Sequence, residues 1–180
     1  MARAAGPWRP YTSSVRPPLL AVASWVVVSL AAGCEWADHP GVPVPASTEW
    51  RLLDGGTLRA ADLRGRPWVI SLWVPGCHVC AREAPRLEAL RQEYAPRGVG
   101  FVALSLEPDE QLVREGARKL RMGLPLAVTR DEVLGPLGVG AVPSIAWVDA
   151  AGIIRIAATG ERSLAFLRRQ TNALLTAQPQ

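Results

Sequence analysis

The chain has 180 residues, 49 % of them hydrophobic, with 20 Lys and Arg against 16 Asp and Glu for a formal net charge of +4. Arg3, Arg9 and Arg16 lie in the first 33 positions, which carry no acid, so the rest of the chain holds 17 basic against 16 acidic residues and lacks the surplus a nucleic-acid partner needs. Three cysteines are too few for a scaffold stapled by several bridges, and the 147 residues after the leader suit one domain with its own core.

The leader reads as an export signal. Its arginines precede the apolar run "LLAVASWVVVSLAAG", which ends at Cys34 and is shorter than the roughly 20 residues of a spanning helix. "LAAGC" resembles a bacterial lipobox, so residues 1–33 are expected to be a lipoprotein-type signal peptide and Cys34 the lipidated residue, holding the protein on a membrane surface. Residues 34–48, "CEWADHPGVPVPAST", are rich in Pro and small residues without periodicity and read as a flexible tether, with His39 in solvent. The folded domain is expected over 49–180.

Within it, "EWRLLDGGTLRAADLRGRPW" predicts a short strand, a turn at Asp54–Gly56 and a second short element. "WVISLW", Trp68 to Trp73, is nearly all apolar and suits a central strand buried on both faces. From Cys77 the period changes, and Ala84, Leu87, Leu90 and Tyr94 recur at helical spacing, with Pro85 inside the helix. "VGFVALSL" is a further buried strand, Pro108 and Asp109 start a charged amphipathic helix that runs to about Met122, and "PLAVTRD" is a short strand. "EVLGPLGVGAVP" predicts a short helix broken by Gly and Pro. "SIAWVDAAGIIRIAATG" predicts a hairpin turning at Asp149–Gly152, and Ser163 caps a last helix whose inner face carries Leu164, Leu167 and Leu174. This order describes an α/β domain, a sheet with helices on both faces.

Cys77 and Cys80, two residues apart at the start of a predicted helix, are open to three readings: a redox pair, a metal site, or close structural thiols. Zinc wants four ligands, and the only histidines are His39 and His78, neither of which follows the CxxC. No metal site is expected.

Three segments carry a resemblance to a known family. "LRGRPWVISLW", "CHVCAREAPRL" and "GVGAVPSIAWVDAAG", in that order behind an export signal, are similar to the TlpA/ResA-like branch of exported thiol-disulfide oxidoreductases. The similarity runs from about Trp50 to Leu175. It implies a thioredoxin-like fold, a central mixed β-sheet flanked by helices on both faces, with an N-terminal β-hairpin extension. It also implies a Cys77–Cys80 disulfide, Glu83 as a partly buried acid beside the thiols, and Pro143 as a cis-proline whose Val142 edge pairs with substrate.

The physical chemistry of the residues agrees with those roles. A cysteine at a helix N-terminus gains from unpaired N–H groups and the helix dipole, which favour the thiolate, so Cys77 is the expected nucleophile and Cys80 the resolving thiol. Glu83 would shuttle the Cys80 proton and, by its charge, raise the thiol pKa values. His78 is a candidate for redox tuning. Trp73, Pro75, Gly76 and Val142 are the expected substrate groove, flatter than in relatives because Pro75 and Gly76 replace a second aromatic residue.

The resemblance further implies no cofactor, a monomer in the cell envelope or periplasm, and a reductant of protein disulfides, for instance of apocytochrome c, recharged by a membrane donor of the DsbD/CcdA type. An oxidising or isomerising catalyst is the alternative direction. A peroxiredoxin-like peroxidase would need Thr or Ser where Val74 stands, and a Sco-like copper protein would need a histidine after the CxxC. A non-catalytic binding module is the usual reading of this fold when the cysteines are lost, and both are present.

Overall fold

The computed structural model describes residues 41–133 and 135–176. The leader, Cys34 and His39 lie outside the described residues.

The sheet is built on β4 (Trp68–Trp73), whose six side chains are all buried. β5 (Gly100–Ser105) runs parallel to it, with Ile70 opposite Val102, and β6 (Leu126–Val128) runs parallel to β5. On the other side, β7 (Ser144–Val148) and β8 (Ile153–Thr159) form an antiparallel hairpin, β7 being antiparallel to β4. A two-residue strand β1 (Val42–Pro43) caps β8, giving the mixed order β1-β8-β7-β4-β5-β6. A separate antiparallel pair, β2 (Glu49–Arg51) and β3 (Thr57–Arg59), is the N-terminal hairpin.

Alternation along β4 sends side chains to two cores. Val69 and Trp73 meet α1 (His78–Tyr94), α2 (Glu110–Lys119) and α3 (Leu164–Thr176) through Leu87, Leu90, Val113, Ala117, Phe166 and Leu167. Trp68, Ile70 and Leu72 face Trp50 and Leu58 of the hairpin, Leu63 of a one-turn helix at Ala60–Leu63, and Leu137 and Val139. The expected two-sided cover is therefore made differently on the two faces. Three α-helices share one core, and a hairpin with 3-10 turns closes the other.

Two local differences from the sequence reading have plain causes. The helix expected in "EVLGPLGVGAVP" is reduced to one 3-10 turn, Asp131–Val133, because Gly135, Pro136, Gly138 and Gly140 deny it continuation while Leu137 and Val139 still enter the core. α2 stops at Lys119, not Met122, because Arg121 turns left-handed with φ of 52°. The Pro-rich stretch expected as tether is seated in its second half: Val42 and Pro43 pair with β8, Val44 is buried and its N–H donates to the Gly152 carbonyl at 2.9 Å.

α2 starts on Asp109, whose carboxylate accepts from the Gln111 and Leu112 N–H groups. α3 starts on Ser163, whose hydroxyl accepts from the Phe166 N–H, and is held to the sheet by the Trp147 indole N–H donating to the Thr171 hydroxyl at 3.1 Å.

At Gly100 the β5 backbone lies against the Trp68 indole so closely that a Cβ would occupy the ring's own space. Gly100→Ala should lower stability by about 1–3 kcal/mol, the range for overpacking a core. Urea unfolding checks this, and a midpoint unchanged from the parent would refute it.

Candidate active site

β4 ends at Trp73, and the chain turns through Val74–Gly76 into α1. Gly76 has φ of +78°, a left-handed conformation natural to glycine, and the turn delivers Cys77 to the N-cap of the helix. Here the Cys77 sulfur takes the place of a capping oxygen. It accepts from the Cys80 N–H at 3.1 Å, facing the unpaired N–H groups and the positive end of α1. Cys77 and Cys80 form a disulfide with Cα atoms 5.2 Å apart. Cys77 is half-buried and Cys80 buried, so an incoming sulfur reaches Cys77 first. His78 is the first helical residue and is exposed.

One turn further on, Glu83 is only 1 % exposed. One carboxyl oxygen, Oε1, accepts from the Arg162 main-chain N–H at 2.9 Å; the other, Oε2, is buried without a partner. Burial pushes its pKa up to about 7. The Arg162 hydrogen bond opposes the rise, the Glu161 charge adds to it, and the Arg162 and Arg86 charges work against it. Glu83, Cys80, Ser71, Trp73 and Pro143 all line one internal cavity of about 10 Å³, room for about one water molecule.

The Val142–Pro143 bond is cis. Pro143 is buried, its carbonyl accepts from the Gly160 N–H at 2.7 Å, and the next residue, Ser144, bonds through its hydroxyl to Ala141 and Thr159. Half-buried Val142 packs against both cores, and no backbone hydrogen bond from the described residues reaches it.

The fold thus brings Cys80, Glu83 and Pro143 around one cavity, under Cys77. Trp73 needs correction as a groove residue. At 2 % exposure it sits in the helix-side core beneath Pro75 and Gly116, supporting the surface without being presented on it. Pro75 and Gly76 remain at the surface before Cys77. Among the described residues no three His, Cys, Asp or Glu side chains come together as a metal site.

The sequence reading missed the loop between β8 and α3. Glu161 accepts from Arg82 at 2.9 Å and from Arg86 at 2.5 Å, clamping that loop to α1 and bringing Arg162 to Glu83. Nothing in "TGERS" marks those charges as partners of a helix some 80 positions earlier. Ser71 did carry a signal, as the one polar residue in "WVISLW".

The sheet order and the placement of the cysteines are those of a thioredoxin-like domain. More particularly, the chain belongs to the AhpC/TSA family, whose model matches residues 40–157. It is 29 % identical over 109 residues to a protein named thiol-disulfide oxidoreductase ResA from Geobacillus thermodenitrificans, a stretch covering 60 % of this chain and 63 % of the relative. A ResA from Bacillus anthracis is 25 % identical over 112 residues, 62 % of this chain and 65 % of that one. The chain therefore spans under two thirds of the length of these relatives. Among solved structures it is similar to MTB DsbF in mixed oxidized and reduced forms, with TM-score 0.66 and 27 % identity over 74 % of this chain and 98 % of that one. A thiol:disulfide interchange protein of the thioredoxin family from Chlorobium tepidum has TM-score 0.66 at 21 % identity, over 77 % and 99 % of the two chains, a likeness of fold.

The raised pKa of Glu83 has a consequence for stability. Between pH 4.5 and about 7 the folded protein holds a proton on Glu83 that the unfolded chain has lost, so stability from this group falls as pH rises through that window, by up to about 3 kcal/mol. Glu83→Gln removes the titration. Urea unfolding of the disulfide form at pH 4.5, 6 and 8 should show the variant gaining on the parent as pH rises; a constant difference across the series would sink the assignment.

Proposed function

We propose that the protein is an exported thiol-disulfide oxidoreductase that reduces protein disulfides through Cys77 and Cys80. The observation that carries this reading is the accessible Cys77 sulfur capping α1 above a buried Cys80, with a protonatable Glu83 at the same cavity. The ResA names of its relatives support it.

In the reducing direction the Cys77 thiolate attacks a substrate disulfide, forms a mixed disulfide and releases one substrate thiolate. Cys80 then gives its proton to the Glu83 carboxylate, and its sulfur attacks the Cys77 sulfur. The second substrate thiolate leaves. Two electrons pass to the substrate, and the enzyme ends as the Cys77–Cys80 disulfide with a proton on Glu83. A substrate segment lies extended along Val142, whose backbone is open to it. His78, beside Cys77, tunes the thiolate.

Direction follows from charge. A buried carboxylate beside the pair disfavours a thiolate, the opposite of the thiolate stabilisation that makes DsbA an oxidant, so Glu83 biases the pair toward reducing. The leader and "LAAGC" support a periplasmic or cell-envelope location with a lipid on Cys34. On this reading the substrates are protein disulfides such as that of oxidised apocytochrome c, the electrons come from a membrane donor of the DsbD/CcdA type, and the protein works as a monomer.

Equilibration of the protein in dithiothreitol buffers should give a reduction potential near or below about −270 mV, that of thioredoxin; a value near −120 mV, that of DsbA, would make it an oxidant and His78 the residue to change next. Cys80→Ser should accumulate mixed disulfides through Cys77 when presented with a disulfide-bonded substrate protein. Their absence would remove the dithiol mechanism.

A further inference from the structure

Resting on that reading, the loop after β8 supplies a further working residue. Arg162 meets Glu83 in two ways. Its main-chain N–H donates to Oε1 at 2.9 Å, while Oε2 is left without a partner. Its guanidinium donates through Nη2 to the Thr159 carbonyl at 2.6 Å and lies over the Phe166 ring at 5.8 Å, yet its Nε is buried with nothing to donate to. A buried acceptor and a buried donor are thus both unsatisfied where the backbone of one residue touches the carboxyl of the other. Buried polar groups are nearly always paired, so an orphaned donor and acceptor beside a titrating carboxyl call for a cause, and a role in catalysis is one.

The loop that carries Arg162 is not free to drift. Gly160 is bonded to the Pro143 carbonyl and Glu161 is bound to both Arg82 and Arg86 of α1. The same short segment thus touches the proline loop, the helix that carries both cysteines, and the acid. The charged groups facing the Glu83 carboxyl are Arg86 on its own helix and Glu161 and Arg162 on the loop; Arg82 acts on it through Glu161. β4 contributes the uncharged Ser71 and Trp73, and Cys80 becomes a titrating neighbour on reduction. Arg86 is already bound to Glu161 and the Arg162 carbonyl. Arg162 is the cation with an unused donor.

We infer that Arg162 is a positioning residue for proton transfer, its N–H fixing the Glu83 carboxyl and its guanidinium supplying the positive charge against which that carboxyl ionises. When Cys80 closes the disulfide, its S–H bond breaks and an O–H bond forms on Glu83; the sulfur's electron pair becomes the new S–S bond and the substrate thiolate departs. Glu83 must therefore be ionised before this step. In a pocket this buried, the Arg162 N–H and then the Arg162 and Arg86 charges bring that state within reach of neutral pH. Arg162 acts on the thiols only through Glu83.

The test is a titration of the Glu83 carboxyl by carbon-13 NMR in the full-length disulfide form, alongside the pH profile of insulin-disulfide reduction. Arg162→Met should move the Glu83 midpoint upward by about one pH unit, the size expected for losing one opposite charge, and carry the acidic limb of the rate profile with it. Arg162→Lys should restore most of both, and Arg162→Gln, which keeps polarity without charge, serves in the same role should Arg162→Met not fold. In a Glu83→Gln background the Arg162 substitutions should leave the profile unmoved. A Glu83 midpoint unchanged in Arg162→Met or Arg162→Gln overturns the inference, as does a Lys variant as displaced as the neutral one. Because the titration reads Glu83 whether or not the protein reduces insulin, a normal shift with no turnover counts against the proposed function and leaves the role of Arg162 standing.

Discussion

The Cys77–Cys80 pair hangs from the C-terminal end of one hidden strand. β4 is buried at all six positions, paired on both edges, and packed on both faces. Its last residue, Trp73, is locked under α1 and α2, so the turn through Gly76 and the first residues of α1 have little freedom left. That rigidity places a sulfur where a capping oxygen normally sits. The backbone N–H groups that a helix start leaves unpaired then become the environment of the thiolate.

The second constraint is a charge held out of water. Burying Glu83 is costly, and the structure lowers the cost through one main-chain hydrogen bond and the charges of Arg86 and Arg162. Arg86 is on the helix of the CxxC, but Arg162, which gives both the hydrogen bond and a charge, comes from a loop that belongs to neither that helix nor the strand before it. Glu161 bridges Arg82 and Arg86, one of them half exposed, so the pairs themselves add little stability. Their value is placement. They fix a segment whose backbone, through Gly160, also braces the carbonyl of Pro143.

What could be read in advance divides along the same line. The apolar run Trp68–Trp73, the helical recurrence of Ala84, Leu87, Leu90 and Tyr94, and the Asp149–Gly152 turn are local patterns, and each became the expected element. Glu83 was visible through the resemblance, which implies an acid three residues after the second cysteine. Arg162 was not, because its role arises from a tertiary approach between positions 83 and 162 that no local period encodes. Trp73 was misjudged for a related reason. An aromatic residue near a reactive cysteine reads as a contact surface, and only the packing of α2, with Gly116 against the ring, shows it to be a foundation. Residues 131–139 were harder still, since their Gly and Pro spacing stops a helix while their apolar residues continue one.

The two-residue strand at Val42–Pro43 closes one edge of the sheet, and the three-residue β6 closes the other. A bare edge is a template for any extended chain, and proline and brevity are both ways to blunt it. Both ends of the described sheet are therefore blunted against the addition of a further strand. The short flanking strands act as insulation, limiting the edge-to-edge pairing through which one copy of a sheet protein seeds fibres with another.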